Sequence, residues 1–265
     1  MIPAEVRAVV IGGGAIGRTV VEALRAGRIP GVRPVAIVDD QPLPDLGVPQ
    51  LPLTEALDLA DLVVECASQD VVAKHAAGIL ARGIDLVITS VGALADAGTE
   101  AALAAAGPGR FLLTSGAAGG LDILSAAAAQ APFTRVELTT TKLPTTLVQP
   151  WMDAETSARL AAGDQCVQVF AGGGREATRL FPRSLNLVVT LGWAVGDIDL
   201  VAVRLLGDPA ATRTRHHIEA DGPCGSYRFD IENLPSAENP RTSGVVPHAV
   251  LRTLAVLAGR PAGVV

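Results

Sequence analysis

Three glycines near the start of the chain have the spacing of a turn that binds a dinucleotide pyrophosphate. Gly12, Gly14 and Gly17 directly follow the β-branched run VRAVVI and open a helical pattern. In such a turn the first glycine permits a tight bend, the second lets the pyrophosphate approach, and the third allows close packing of helix on strand. The helix N-terminus, here Ala15 and Ile16, offers free amide groups and a favourable dipole to the phosphates.

Asp39 ends the second strand pattern, RPVAIV, about twenty residues beyond the glycines. A carboxylate at this position accepts hydrogen bonds from the adenosine ribose and repels a 2′-phosphate. No arginine follows Asp39 closely, so the pattern predicts NAD as the cofactor, with NADP as the alternative. A domain of this shape that binds no nucleotide would also explain the glycines, but their spacing and position favour binding.

Small and polar residues follow the next strand patterns. In an open parallel sheet ligands bind beyond the carboxyl ends of the strands, so we expect Ala67, Ser68 and Gly92 to contact the cofactor. An ordinary strand-to-helix turn is the alternative for each residue taken singly. Cys66 has no candidate base near it in sequence, which favours a small buried cysteine over a nucleophile.

A histidine pair lies in the strand pattern TRTRHHIEA of residues 212–220. Alternation places His216 with Thr214 and Ile218 on a mostly uncharged face, and His217 on a charged face that looks solvated. An inward imidazole suits a general base whose pKa lies near neutrality. A core histidine with satisfied hydrogen bonds is the alternative.

Two further polar residues have positions of interest. Lys142 ends a strand pattern before Leu-Pro and is a candidate to bind a substrate carboxylate, with a plain surface lysine as the alternative. Asn186 lies in the apolar helical segment SLNLVVTLGWA, where burial requires a hydrogen-bond partner, and a bound ligand is one candidate.

The overall composition limits the class of protein. The chain has 265 residues, 49% of them hydrophobic, and a net charge of −6, which argues against nucleic acid as a partner. Three dispersed cysteines give no disulfide framework and no zinc-site spacing, and we expect no metal. No apolar run reaches the length of a membrane span, and no cleavable leader is visible, so we expect a cytoplasmic protein that does not bind membranes.

The order of the predicted elements indicates the fold class. Strand and helix patterns alternate over residues 1–114, which predicts an α/β fold with an N-terminal doubly wound Rossmann domain. Residues 115–243 predict a smaller α+β domain with a largely antiparallel sheet, because three strand patterns follow one another at 198–206, 212–220 and 225–232. Within it, prolines and short apolar runs predict a loop or lid over residues 143–165. We expect the helix in the tail 244–265 to pack back on the first domain.

With these residues assigned, the chain resembles the L-aspartate dehydrogenase family over nearly its full length. Two of the segments that carry the resemblance, SVGALAD and SGAAGGLD, are not general Rossmann features. The segments are GGGAIG (12–17), DLVVECASQ (61–69), SVGALAD (90–96), SGAAGGLD (115–122), TTTKLP (139–144), REATRLFPRSLN (175–186) and NPRTS (239–243).

The resemblance implies a reaction and assigns residues to it. The α-carbon of L-aspartate gives hydride to the nicotinamide, forming iminosuccinate, which hydrolyses to oxaloacetate and ammonia or enters pyridine nucleotide biosynthesis; the reverse is a reductive amination. The family's catalytic histidine falls on His216, and its nicotinamide-contacting alanine and asparagine fall on Ala117 and Asn186. We expect Lys142 and His217 to contact the substrate. We also expect the chain to form a homodimer, since two-domain dehydrogenases usually self-associate.

This sequence departs from the family pattern at three positions, which bears on the substrate. Thr141 replaces a usual arginine, Thr214 a usual asparagine, and His217 a usual glutamate. A dehydrogenase or imine reductase acting on a related amino acid is therefore one alternative. A non-catalytic NAD(P)-binding sensor that kept the fold is an alternative from another class.

Overall fold

The computed structural model of the chain describes residues 5–182, 184–239 and 242–259. It divides into two units, one formed by Met1–Gly116 with Val246–Val265 and the other by Ala117–Val245. The remaining positions lie outside the described residues, so the outer ends of the predicted domains and parts of the segments REATRLFPRSLN and NPRTS are not covered.

The bounds of the strands and helices are as follows. The strands are β1 (Val6–Ile11), β2 (Val32–Val38), β3 (Leu62–Glu65), β4 (Asp85–Ile88), β5 (Phe111–Leu113), β6 (Arg135–Lys142), β7 (Val167–Gly173), β8 (Val201–Gly207), β9 (Thr214–Gly222) and β10 (Gly225–Asn233). The helices are α1 (Ala15–Arg25), α2 (Leu53–Leu57), α3 (Gln69–Ala81), α4 (Ala97–Ala105), α5 (Leu121–Gln130), α6 (Ala154–Ala162), α7 (Gly174–Leu180), α8 (Asn186–Val195) and α9 (Val246–Leu257).

The first unit is built on a parallel sheet in the order β2-β1-β3-β4-β5. Its central strands β1, β3 and β4 are almost wholly buried on both faces, which is why they read as continuous apolar runs. Helices α1 and α9 pack on one face through side chains such as Val20, Leu24, Val250 and Leu254, while α3 contacts β3 and β4. This is the doubly wound α/β arrangement that the alternating patterns predict.

The strand order reverses between β1 and β3. The chain leaves β1 for β2 on one side and returns to β3 on the other side, so the loops after β1 and β3 diverge at their carboxyl ends. A crevice forms at such a point in open α/β sheets. The glycine turn after β1 and the segment after β3 therefore lie at the edge where a nucleotide is expected.

The second unit has a mixed sheet in the order β10-β9-β6-β8-β7. The pairings of β9 with β10 and β6, and of β7 with β8, are antiparallel, while β6 and β8 run parallel. One face packs on helices and forms a core that includes Leu138, Val203, Ile218, Leu124 and Val188. We call this the helix-facing side.

The opposite side of the second sheet, which we call the outer face, is charged. Arg135 and Arg228 both pair with Glu219, and Arg215 pairs with Glu232. Charged and apolar residues alternate along β6 and β9 because successive side chains of a strand point to opposite faces. The predicted α+β class and largely antiparallel sheet agree with this unit.

Parts of the second unit differ from the expected elements. The segment expected as a loop or lid contains α6, whose N-cap Asp153 accepts a hydrogen bond from the amide of Thr156 and which ends at Gly163 with a φ of 61°. Strand β7 was not predicted; all of its residues except Val167 are half-buried or exposed, and it ends in two glycines. Within the described residues no helix is long and apolar enough to cross a membrane.

Candidate active site

A cleft opens at the switch point of the first sheet, with a volume of about 670 Å³. The loops after β1, β2 and β3 and the first turns of α3 form its walls. It brings together five of the residues that the sequence predicts for the cofactor: Gly12, Gly14, Asp39, Ala67 and Ser68.

The glycines of the turn are required by close approaches. Gly12 has a φ of 99°, and a Cβ there would lie 2.7 Å from the carbonyl carbon of Cys66. A Cβ on Gly17 would lie 1.8 Å from the carbonyl oxygen of Gly12, so only glycine lets α1 begin this close to the turn. A Cβ on Gly14 would meet nothing within 4 Å, which leaves the backbone open to the cleft.

The glycine turn leads directly into the N-terminus of α1. Ala15 and Ile16 form the start of the helix, and no acidic side chain lies in its first turn. The local dipole and amide groups therefore favour an anion, as the pyrophosphate of a dinucleotide requires.

Asp39 lies at the end of β2 and is tied to the glycine turn. Its Oδ2 accepts a hydrogen bond from the amide of Gly13 at 2.6 Å, and its Oδ1 accepts one from the amide of Gln41 at 2.8 Å. The side chain of Gln50 donates to the carbonyl oxygens of Asp39 and Gln41, which fixes the loop after β2. The carboxylate is thus held at the rim of the cleft.

The segment after β3 contributes backbone and small side chains. Ala67 and Ser68 are exposed to the cleft, and the Ser68 hydroxyl caps α3 by accepting from the amide of Val71 at 3.3 Å. Gly92 is buried in a 3₁₀ turn after β4 and does not line this cleft. Cys66 hydrogen-bonds through its thiol with Thr89, and burial raises the pKa of that thiol, as expected for a structural cysteine.

Sequence reasoning missed Glu65, the last residue of β3. The carboxylate is 2% exposed and accepts hydrogen bonds from the amides of Ala67, Thr89 and Ser90 and from the Ser90 hydroxyl. Burial raises the pKa of the Glu65 carboxyl, and these donors oppose the rise. A glutamate at the end of an otherwise apolar strand was the available signal. Glu65 joins the loops that follow β3 and β4.

In the second unit His216 lies on the helix-facing side of β9, as the alternation predicts. Its ring is 3% exposed, and its Nδ1 lies 3.0 Å from Oγ1 of Thr140, the residue directly opposite on β6. Burial, and to a smaller degree the nearby Lys142 ammonium, lower the pKa of His216 to about 3. This pKa lies below the near-neutral value expected of a general base, because the ring is almost fully buried. The imidazole is therefore neutral at pH 7 and has a nitrogen lone pair available.

Lys142 lies on the same side, two residues beyond Thr140 at the end of β6. It is 8% exposed, so the alternative of a plain surface lysine is wrong. Burial lowers the pKa of Lys142 to about 8, and no acidic side chain among the described residues forms an ion pair with it. A buried ammonium that has no counter-ion among the described residues is a suitable partner for a ligand carboxylate.

Ala117 and Asn186 also belong to the second unit. The carbonyl oxygen of Ala117 accepts a hydrogen bond from the side chain of Asn233, which lies opposite Thr214 in the register of β10 and β9. This contact fixes Ala117, which precedes α5, beside the start of β9. That end of β9 contains Thr214 and is the end nearest to His216. Asn186 is the half-buried first residue of α8.

Two other candidate residues, His217 and Thr141, lie on the outer face of the second sheet, opposite to the side of His216. His217 points there, and its Nδ1 lies 2.7 Å from a carboxylate oxygen of Asp230, which raises the pKa of the ring. Thr141 lines the same outer groove as His217. His216 and His217 therefore lie on opposite faces of the sheet, and the substrate contact expected of His217 stays a prediction.

The departure from the family pattern at Thr141 also concerns the outer face. An arginine at this position would point to the outer face, away from Lys142 and His216. Its absence therefore leaves the side chains on the helix-facing side unchanged. Among the described residues no group of acidic, histidine and cysteine side chains has the arrangement of a metal site.

Comparison with known proteins assigns the chain to a family. The family model for the C-terminal part of aspartate dehydrogenase matches residues 122–257, and the model for the NAD-binding domain of homoserine dehydrogenase matches residues 12–108. An L-aspartate dehydrogenase of Ralstonia nicotianae is 34% identical over 264 residues, covering 92% of this chain and 94% of that protein. The chain belongs to the L-aspartate dehydrogenase family.

Other relatives agree with this membership. An L-aspartate dehydrogenase of Ralstonia pickettii is 38% identical over 199 residues, 73% of each chain. The crystal structure of aspartate dehydrogenase from Thermotoga maritima superposes with a TM-score of 0.77 at 28% identity, covering 98% of this chain and 99% of that chain. Scyllo-inositol dehydrogenase from Lactobacillus casei, at 14% identity and a TM-score of 0.56, shares the fold alone.

Proposed function

We propose that this chain is an NAD(P)-dependent L-aspartate dehydrogenase. The observation that carries the proposal is the near full-length similarity to L-aspartate dehydrogenases, with the C-terminal family model covering the residues that hold Lys142 and His216. The reaction converts L-aspartate and NAD(P)⁺ into iminosuccinate, NAD(P)H and a proton. Water then converts iminosuccinate into oxaloacetate and ammonia, and the reverse sequence is a reductive amination.

The cleft of the first unit fits the nicotinamide dinucleotide. Gly14 leaves room for the pyrophosphate where a Cβ would meet no atom, the N-terminus of α1 supplies amide groups, and Asp39 stands where the adenosine ribose is expected. A nicotinamide dinucleotide bound there would supply the acceptor for the hydride that leaves the α-carbon of the substrate. Asp39 favours NAD over NADP because its negative charge repels a 2′-phosphate.

Lys142 and His216 supply the polar chemistry on the substrate side. The Lys142 ammonium binds one carboxylate of the substrate in a buried setting, where a charge pair is strong. His216 accepts the proton released from the substrate ammonium, or the proton of the water that attacks the imine. Burial is the larger cause of the lowered His216 pKa, and the Lys142 charge is the smaller one. A carboxylate bound beside Lys142 would offset only the smaller cause, which raises the pKa of the ring in part.

A substrate panel tests the proposal. Purified protein is assayed with NAD⁺ or NADP⁺ and a set of L-amino acids that includes aspartate, asparagine, glutamate and N-methylaspartate. We expect the highest kcat/KM for L-aspartate. A higher value for another member would instead assign the enzyme to a related amino acid. NAD binding without turnover of any member in either direction would identify a sensor.

The proposal also covers assembly and location. We propose a homodimer, for which light scattering should give twice the chain mass of 27.1 kDa. We propose a cytoplasmic location, since Cys66, Cys166 and Cys224 are all unpaired thiols, as is usual in a reducing compartment. Fractionation of cells that express the protein at native level would check this location.

A further inference from the structure

The contact between Thr140 and His216 is set by the backbone of the second sheet. The two residues are direct partners in the antiparallel register of β6 and β9, with Thr140 fully buried. Their side chains lie on the helix-facing side, and Oγ1 of Thr140 is 3.0 Å from Nδ1 of His216. Cross-strand pairing limits movement of either side chain, so the imidazole is held at Nδ1.

A neutral imidazole has two tautomers, and its partner at one nitrogen selects between them. If Thr140 accepts from Nδ1–H, then Nε2 carries the lone pair and can take a proton. If Thr140 donates to Nδ1, then Nε2 carries the hydrogen and cannot act as a base. The role proposed for His216 requires the first arrangement.

We propose that Thr140 is a positioning residue for this reaction, whose hydroxyl oxygen accepts from Nδ1–H of His216 and keeps Nε2 as the proton acceptor. This inference rests on the proposed function of His216. Lys142 is a charged neighbour of His216 on the same side of the sheet. Arg215, Asp230 and Glu232 of β9 and β10 project to the outer face. No carboxylate of those strands therefore replaces Thr140 as the partner of Nδ1.

The kinetic test compares three variants. Thr140→Val keeps the shape of the side chain and removes the hydroxyl, while Thr140→Ser keeps the hydroxyl. Thr139→Val is the matched control, because Thr139 lies on the outer face opposite His217. We expect Thr140→Val to lower kcat roughly 10- to 100-fold, part of the range of general acid–base catalysis, with KM for L-aspartate changed less than about twofold. Thr140→Ser should restore most of the rate, and Thr139→Val should match the wild type.

A spectroscopic readout tests the tautomer without relying on turnover. The chain has four histidines, so ¹⁵N-histidine spectra can be assigned to His216 by comparison with a His216→Gln variant. We expect wild-type His216 to carry its hydrogen on Nδ1 and Thr140→Val to show a mixed or reversed tautomer. Thermal unfolding of each variant establishes that it is folded before the spectra are compared.

The outcomes separate the two proposals. Hydrogen on Nε2 in the wild type, or an unchanged tautomer with an unchanged kcat in Thr140→Val, would overturn the role of Thr140. Failure of Thr140→Ser to restore the rate would also overturn it. If the wild type shows no aspartate dehydrogenase activity, the proposed function fails, and the tautomer spectra still decide whether Thr140 orients the ring.

Discussion

Glu65 accepts two hydrogen bonds from Ser90, one from its amide at 2.9 Å and one from its hydroxyl at 2.8 Å. Ser90 follows β4 and Glu65 ends β3, so one buried carboxylate fixes two neighbouring loops at the carboxyl edge of the parallel sheet. Thr89 and Ala67 donate to the same carboxylate, at 3.2 and 2.7 Å. Glu65 thus holds in place the loop that lines the cofactor cleft.

Replacing this carboxylate with an amide should destabilise the protein. In Glu65→Gln the amide NH₂ group faces donors that have lost their acceptor, and a buried unsatisfied donor costs about 1–3 kcal/mol. We expect the free energy of unfolding to fall by about 2–3 kcal/mol in urea denaturation at pH 7. Glu22→Gln, at an exposed site on α1, is the control and should change it by less than about 0.5 kcal/mol. Equal stability of both variants would contradict the structural role of Glu65.

The charge of Asp39 should determine the cofactor preference. Asp39→Asn removes the negative charge and keeps an oxygen that can accept from the Gly13 amide. Removal of a unit charge near the 2′-phosphate is worth on the order of 1.4 kcal/mol, or about tenfold. We therefore expect the ratio of kcat/KM for NADP to that for NAD to rise about tenfold, with Glu22→Gln unchanged. An unaltered ratio in Asp39→Asn would mean that another residue discriminates against NADP.

The lowered pKa of Lys142 gives a pH dependence for dicarboxylate binding. Succinate binding needs the charged ammonium, which is lost as the pH rises through about 8. We expect the Kd for succinate, measured by calorimetry with NAD present, to rise about tenfold between pH 7 and pH 9. The His216 ring stays neutral over this interval because its pKa of about 3 lies far below it.

Lys142→Arg is the matched variant for that experiment. A guanidinium stays protonated across the interval, so its Kd should be nearly independent of pH. If wild type and Lys142→Arg show the same pH profile, Lys142 does not bind the carboxylate.

The fold was largely predictable because its strongest signals are local. The buried strands of the first unit are short apolar runs, and Gly12 and Gly17 mark the turn that only glycine can form. Strand β7 lacked such a signal, since its residues are partly exposed. Helix α6 was expected as part of a loop because prolines precede it and its apolar runs are short.

The candidate site was predictable in part. Alternation along β9 was enough to turn His216 inward and His217 outward. Alternation along β6 likewise places Lys142 on the side of Thr140 and Thr141 on the other side. The contact of Thr140 with His216, and which side of β6 is buried, depend on the pairing of β6 with β9. That pairing joins residues far apart in sequence, and no local pattern encodes it.

The proposed dehydrogenase activity and the role of His216 are tested together by the oxidation of NADH in the presence of oxaloacetate and ammonium, with wild type and His216→Ala compared at equal concentration. We expect rapid oxidation by the wild type that requires both compounds. We expect a loss of about 10²- to 10⁴-fold in the rate of His216→Ala, with NADH affinity nearly unchanged. Oxidation that does not need ammonium, or an undiminished rate in His216→Ala, would contradict the proposal.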